Sequence, residues 1–418
     1  MADFGLLYPL WFHTSEPAAL DEWLGSVGVQ FVTVPLVTGP LREFRAPRAT
    51  GPSPEFASEG GWHFPPDHSL FASAGVRPHA ARWTAKRDHL RAVAETLRER
   101  GVRLVARLDL SAVPHLCEHA GHVQQCSAWG DDGVPRPACP LNPTLQVLAQ
   151  ECLADLGRYG PAEVEWDHVE TNPAARGQTA GVEGLLDICF CSACRALADQ
   201  AGLDAHAIAR SVRVHAERAF GEARSEALRA ADSDEMLNRY RTLRRASIDQ
   251  WLVRMAEKHP ALRFWRIRRP AAERLVAARS EISRDAESAS LFGAPIAAAR
   301  NAPESAGRNA TSPSGLATSA RGAAIASRVG TILDLSSDLP ASETLVEADA
   351  VPEALLTRAW LPAFGSAAAL VRATGDAVRL GARRITFTDL HASPPDVASW
   401  VKQAVRWSRR EASDNSGA

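Results

Sequence analysis

Cys189, Cys191 and Cys194 stand together in the run CFCSAC. Three thiols within one turn of chain are enough soft ligands to chelate one ion once a fourth arrives. Thiolates favour zinc, which accepts four of them tetrahedrally and then has no open position for water or substrate, so such a site is structural. Cys139, in RPACPLNP, is the expected fourth ligand. It falls in the loop region after the third expected strand while the triplet follows the fourth, and neighbouring loops of a β/α barrel meet. Zinc is therefore predicted on Cys139, Cys189, Cys191 and Cys194. Cys117, Cys126 and Cys152 read as incidental thiols, and seven cysteines in 418 residues, an odd number, fit a reducing compartment better than a disulfide framework. His115, His119 and His122 beside Cys117 invite a second metal site, but the loop lacks a partner motif.

Regular elements have to bring these ligands together. Apolar runs rich in β-branched or aromatic residues recur with helical segments between them, the pattern of a parallel sheet with crossover helices. The runs are 6–12, 29–37, 102–110, 164–170, 262–267, 331–335, 355–361 and 384–390. Segment 88–100 (DHLRAVAETLRER) is an amphipathic helix stopped by Gly101. The count predicts an α/β fold, a (β/α)8 TIM barrel over 1–410 with a helical insertion after strand 4; a doubly wound parallel sheet is the alternative. The insertion is the long helical block 195–260. Segment 283–327, dominated by Ala, Ser, Gly, Asn and Arg, is expected as a low-complexity mobile insertion, and 411–418 as a disordered tail.

The order Cys139-Pro140-x-Asn142-Pro143, a strand ending in Glu170, then CFCSACRAL resembles the family-42 β-galactosidases of the glycoside hydrolases. WHFPPD at 62–67 and Cys-Phe-Cys-x2-Cys-Arg are similar to a group of uncharacterised bacterial glycoside-hydrolase-like (β/α)8 barrels. The resemblance runs from Leu7 to Leu203. It implies a barrel, the four cysteines as zinc ligands, and Glu170 as acid/base at the end of the fourth strand. Strand parity adds that Glu170, His168 and Trp166 share one face. Where that family has Asn before the acid/base, this chain has Val169.

A glycosidase needs a second carboxylate, and the seventh run, LLTRAWLP, supplies none. Asp334 and Asp389, at the sixth and eighth strands, are the candidates. Flat apolar faces and fixed polar groups for a sugar ring are expected from Trp11, His13, Trp62, His63, Arg107, Asp109, His168 and Trp360. The predicted function is hydrolysis of a glycosidic bond in an oligosaccharide or glycoconjugate. A catalytically degenerate barrel that binds carbohydrate or a protein partner, and a metal-dependent hydrolase, are the alternatives.

Composition sets the remaining bounds. With 45% hydrophobic and 23% charged residues and a net charge of -2, nothing biases the chain toward nucleic acid or an anionic membrane. The opening MADFGLLYPLWF has no basic n-region, and no run approaches the roughly 18 apolar residues of a membrane span. A soluble, cytoplasmic protein with a carbohydrate or glycoconjugate substrate is the expectation.

Overall fold

Strands buried on both faces need side chains that satisfy two different surroundings, and this chain alternates apolar with charged residues to meet that need. The computed structural model describes residues 2–44, 55–84, 87–130, 136–167, 182–186, 188–221, 224–268, 329–334, 354–358, 366–379, 381–394 and 396–415. Its main strands are β1 (Asp3–Leu7), β2 (Phe31–Thr38), β3 (Arg103–Asp109), β4 (Glu163–Asp167), β5 (Arg263–Arg268), β6 (Val329–Asp334), β7 (Ala354–Arg358) and β8 (Arg384–Thr388). Each overlaps one of the runs expected above.

All eight are parallel, in the order β1-β8-β7-β6-β5-β4-β3-β2, and β1 pairs with β2 as well as with β8. The ladder thus returns to its first strand. A doubly wound sheet would keep two edge strands and reverse its order at a switch point; this pairing does neither. Gly61–Trp62 adds a short antiparallel partner to the end of β2.

Helices connect the strands with ordinary start and stop signals. α1 (Ala18–Val27) joins β1 to β2 and ends at Gly28 in the left-handed region. α2 (His89–Glu99) starts at Asp88, whose carboxylate accepts from Arg91 N–H, and turns into β3 through Gly101 at φ 64°. α3 (Pro143–Leu156) starts at Asn142, which accepts from Thr144 N–H, with Pro143 in the first turn. Between β4 and β5 stand α4 (Ser192–Gln200), α5 (Ala205–Phe220), α6 (Arg224–Ser233) and α7 (Glu235–Lys258), where one crossover helix would suffice. Asp204 and Asp234 cap α5 and α7. α8 (Ala367–Arg379) precedes β8, and α9 (Val397–Asn415) follows it. The last helix therefore runs into the stretch 411–418 expected as a tail. Segment 283–327 lies outside the described residues.

Parity divides the strands cleanly. Phe4, Leu6, Val32, Val34, Leu36, Leu104, Ala106, Leu108, Val164, Trp166, Phe264, Ile385 and Phe387 join residues of α1, α2, α3, α7, α8 and α9 in the main core. The alternate residues of the same strands meet one another. Glu165 is fully buried and accepts from Thr33 Oγ1 at 3.0 Å, Arg107 Nε at 2.9 Å and Arg384 Nη2 at 2.7 Å. Below it Glu163 takes Arg103 Nη1 at 2.8 Å and the indole N–H of Trp265, and Arg103 also reaches Asp3. The Arg384 guanidinium lies 4.2 Å from the Phe31 ring centroid. Gly5 makes room for that ring, since a Cβ there would come within 2.1 Å of it.

A smaller second core gathers Val182, Leu185, Ile188, Ile208, Val212, Leu237 and Tyr240 around the four cysteines. No described helix is long and apolar enough to cross a membrane.

Burial, the largest influence, would raise the pKa of Glu165, but Arg107 and Arg384 outweigh it and hold the carboxyl below its ordinary value. A depressed carboxylate stabilises the fold above its unfolded pKa and loses that contribution as pH falls toward the folded one. Glu165→Ala removes the carboxylate that Arg107 and Arg384 share, leaving buried Arg384 with Glu163 alone, and is expected to cost about 3–5 kcal/mol at neutral pH. Urea unfolding of the variant against wild type measures it; a loss under about 1 kcal/mol, the range of an exposed ion pair, would refute the assignment.

Candidate functional site

Two places concentrate chemistry. In the first, one sulfur from each of Cys139, Cys189, Cys191 and Cys194 lies within 4.8 Å of all the others, and every one of the four residues is buried. Cys139 Sγ and Cys194 Sγ are 3.5 Å apart. A tetrahedral ion with bonds of about 2.3 Å needs sulfurs about 3.8 Å apart, so the donor set fits. The sequence explains the convergence: Cys139 precedes the Asn142 cap of α3, while Cys191 is the residue from which α4 begins. Backbone N–H groups of Cys126 and Cys191 point at Cys189 Sγ, at 3.5 and 3.4 Å. The Tyr240 hydroxyl donates to the Cys189 carbonyl at 2.7 Å, and its ring stacks on Phe190.

Shared thiol hydrogen bonds from Cys139 lower the pKa of Cys191 and of Cys194, while the same bonds raise Cys139. Arg244 faces the cluster. Burial would lower its pKa, but Cys194, Cys189 and Cys139 reverse the sign and raise it. A cation there would offset the excess negative charge of four thiolates around a divalent ion. Among the described residues this is the group of side chains placed to hold a metal. His115, His119 and His122 do not form a second; His119 adopts φ 59°, and His122 Nδ1 hydrogen-bonds its carbonyl. Cys117 and Cys152 are buried thiols, the former pushed up to about 12 by desolvation.

The second place lies at the carboxyl ends of β1, β2 and β8. Trp11 follows β1 and donates its indole N–H to Glu43 Oε2 at 2.7 Å. It packs parallel to Phe56 at 5.7 Å and lies 5.1 Å from the His63 ring. His63 follows β2, sits 5.2 Å from Trp83, and bonds Thr38 Oγ1 through Nε2 at 2.7 Å. Trp83 leads to His89 at 5.9 Å, His89 to His13 at 6.1 Å, and His13 Nδ1 bonds the Tyr8 hydroxyl at 3.1 Å. His391, after β8, meets the same Glu43 Oε2 through Nε2 at 3.1 Å. The result is a continuous band of rings with a carboxylate in it.

Glu43 belongs to the strand Leu41–Phe44, paired antiparallel with Glu55–Ser58. The hairpin can fold back because Gly60 and Gly61 have φ 83° and 129°, and a Cβ on Gly60 would come within 2.5 Å of the Gly39 backbone.

Of the residues expected from sequence, Trp11, His13 and His63 come together here. Trp62 is buried against Phe71. Arg107 is spent on Glu165, its Nη2 at 2.8 Å. Asp109 closes β3, accepts from Ser111 N–H and Oγ, and is the register partner of Asp167 on β4. Asp389 has φ 60° and accepts from Ser393 Oγ through its carbonyl. Asp334 closes β6, its Cα paired with Leu356. Glu170, His168 and Trp360 lie outside the described residues.

Of the three residues expected to share one face, only Trp166 is among the described ones. Trp166 packs on Trp251 and Phe264, on the helix side of the sheet, so its face is not the interior one; Glu163 and Glu165 carry that. Glu43, Trp83, Asp167 and His391 were not expected. His391 and Asp167 had a signal, as polar residues at strand ends, whereas Glu43 in LREF had none.

No family model matches the chain, and no curated protein matches it. Among solved structures it is similar to α-L-fucosidase isoenzyme 2 from Paenibacillus thiaminolyticus, at 14% identity over 99% of this chain and 50% of that one, with a TM-score of 0.47. The chain spans about half the length of that fucosidase. The catalytic domain of β-amylase from Paenibacillus polymyxa is 10% identical over 96% and 97%, TM-score 0.44. GH36 α-galactosidase AgaB from Geobacillus stearothermophilus is 8% identical over 98% and 41%, TM-score 0.38.

Burial drives the His63 imidazole from 6.5 down to about 3, against the opposing charge of Glu43. A base with a depressed folded pKa lets the unfolded chain bind a proton that the folded chain refuses, so stability is full above about pH 6.5 and is lost as pH falls toward 3. His63→Asn is expected to flatten the fall in unfolding free energy between pH 6.5 and 4, read from denaturant titrations at several pH values. An unchanged slope would place the acid sensitivity elsewhere.

Proposed function

We propose that the chain is a (β/α)8 barrel of the glycoside-hydrolase kind, with a helical insertion after strand 4, acting on a glycosidic bond in an oligosaccharide or glycoconjugate. The observation that carries this reading is the band of aromatic and imidazole rings around Glu43 at the carboxyl ends of β1, β2 and β8. Beside it Asp109 and Asp167 end β3 and β4 in register. Sugar recognition requires apolar rings with a few fixed polar groups, and in β/α barrels the chemistry gathers at this end.

In this reading Glu170 is the acid/base. Its carboxyl gives a proton to the glycosidic oxygen as the bond to the anomeric carbon breaks. A second carboxylate, with Asp389 and Asp334 as candidates, attacks that carbon or takes the proton of the attacking water. Trp11, held between Phe56 and His63, supports the site from within, while half-buried Trp83 and His13 are better placed to meet a ligand.

A panel of aryl glycosides tests the enzyme directly. Turnover by wild type, with a loss of about 10²–10⁴-fold in Glu170→Gln and an unchanged fold, is expected. Saturable sugar binding without turnover would favour a non-catalytic carbohydrate-binding barrel instead.

We also assign zinc to the four thiols, as a structural ion that staples α4 to the loop before α3. Purified protein is expected to carry close to one zinc per chain by elemental analysis. Cys191→Ser should lower both zinc content and melting temperature. A zinc-free wild type as stable as the metal-loaded protein would overturn the assignment.

A further inference from the structure

We infer that Glu43 is the ligand-contacting carboxylate of the mouth and that Trp11 and His391 are its positioning residues. The ligand class is a neutral sugar whose hydroxyls donate to it. The inference rests on the carbohydrate reading above and adds the group that grips the ring.

The geometry separates support from contact. Trp11 is 3% exposed and the His391 side chain 1%, whereas the Glu43 side chain is 27% exposed. Both donors converge on one oxygen, Oε2, at 2.7 and 3.1 Å. They arrive from either side of the point where the strand ladder closes, Trp11 after β1 and His391 after β8. Two ring nitrogens on one oxygen hold the carboxylate in place from both sides.

A second observation points to a ligand in the same place. His391 faces Glu43 through Nε2, and its other ring nitrogen, Nδ1, is buried with no hydrogen-bond partner among the described residues. The neighbouring His63 Nδ1 is likewise buried and, among the described residues, unpartnered. Buried polar atoms without partners are costly and call for a bound group. A polyol hydroxyl can meet either ring nitrogen, as donor or as acceptor, whichever tautomer the imidazole holds. The carboxylate itself repels anions.

The rival explanation is a structural pin, with Glu43 merely holding its hairpin over the strand ends. Glu43→Gln separates the two, because the amide keeps the side-chain length and an acceptor oxygen for both donors but removes the charge. Ligand-observed NMR on the full chain with D-galactose, L-fucose, D-glucose and N-acetyl-D-glucosamine at millimolar concentrations provides the readout. Wild type is expected to bind at least one of them saturably. Glu43→Gln should weaken that binding about tenfold or more, the scale of one charge-assisted hydrogen bond, with unchanged circular dichroism. His391→Phe should lose as much, and His391→Gln, which restores an N–H toward Oε2, should recover most of it. Should Glu43→Gln be poorly folded, Glu43→Asp keeps the charge but withdraws it by one methylene, and a comparable loss is expected. Equal affinity of wild type and the Glu43 variants would overturn this inference and leave the carbohydrate reading standing. Binding of none of the four sugars by folded wild type would overturn both.

Discussion

The interior of the strand ladder holds charge, and it has to be neutral to exist. Buried Glu163 and Glu165 meet the guanidinium groups of Arg384 and Arg107, and the half-exposed pair Arg103 and Asp3 continues the network to its rim. Taking one such ion out of water costs several kcal/mol, which its neighbours recover only if each is present and well aimed. Thr33 and Trp265 complete the acceptor shells of the two glutamates, and Phe31 offers its face to Arg384. The network draws on β1, β2, β3, β4, β5 and β8, so those strands must be in place together before any of them is satisfied. The mouth depends on this, since Trp11, His63 and His391 follow three of the strands so fixed.

Much of the fold was legible because strands announce themselves by local composition. Runs such as FVTVPLVT and RITFT are β-branched and bounded by turn or helix signals. The cysteine cluster was legible too, since three of its ligands lie within one turn of α4's start and only the fourth had to be found at a distance. The meaning of alternation was not legible. RLVARLD and EVEWD alternate charged with apolar residues, which in an exposed sheet marks the wet face. Here the charged face is turned inward, and the apolar face, Trp166 included, carries the helices. Period alone cannot tell a solvated face from an interior that neutralises itself.

The mouth was half legible for a related reason. Residues at or soon after a strand end, such as Asp109 and Trp11, are placed by the strand, and sequence reasoning reaches them. Glu43 and Trp83 sit on excursions whose path depends on long-range contacts. One of those contacts is the Trp11–Glu43 hydrogen bond, and another is the close backbone passage that Gly60 and Gly61 permit. No spacing rule encodes where such an excursion lands.

The four thiols also act on the topology of the chain. Cys139 precedes α3 and β4, and the triplet follows them, so an ion held there would close a loop through the α3–β4 unit. Loop closure removes freedom from the unfolded chain at a cost that rises only slowly with length, and a metal bond introduced after that unit has formed meets it already closed. An ion bound at that stage would be a latch on finished structure, bearing on how long the second core stays shut more than on how fast the first one assembles.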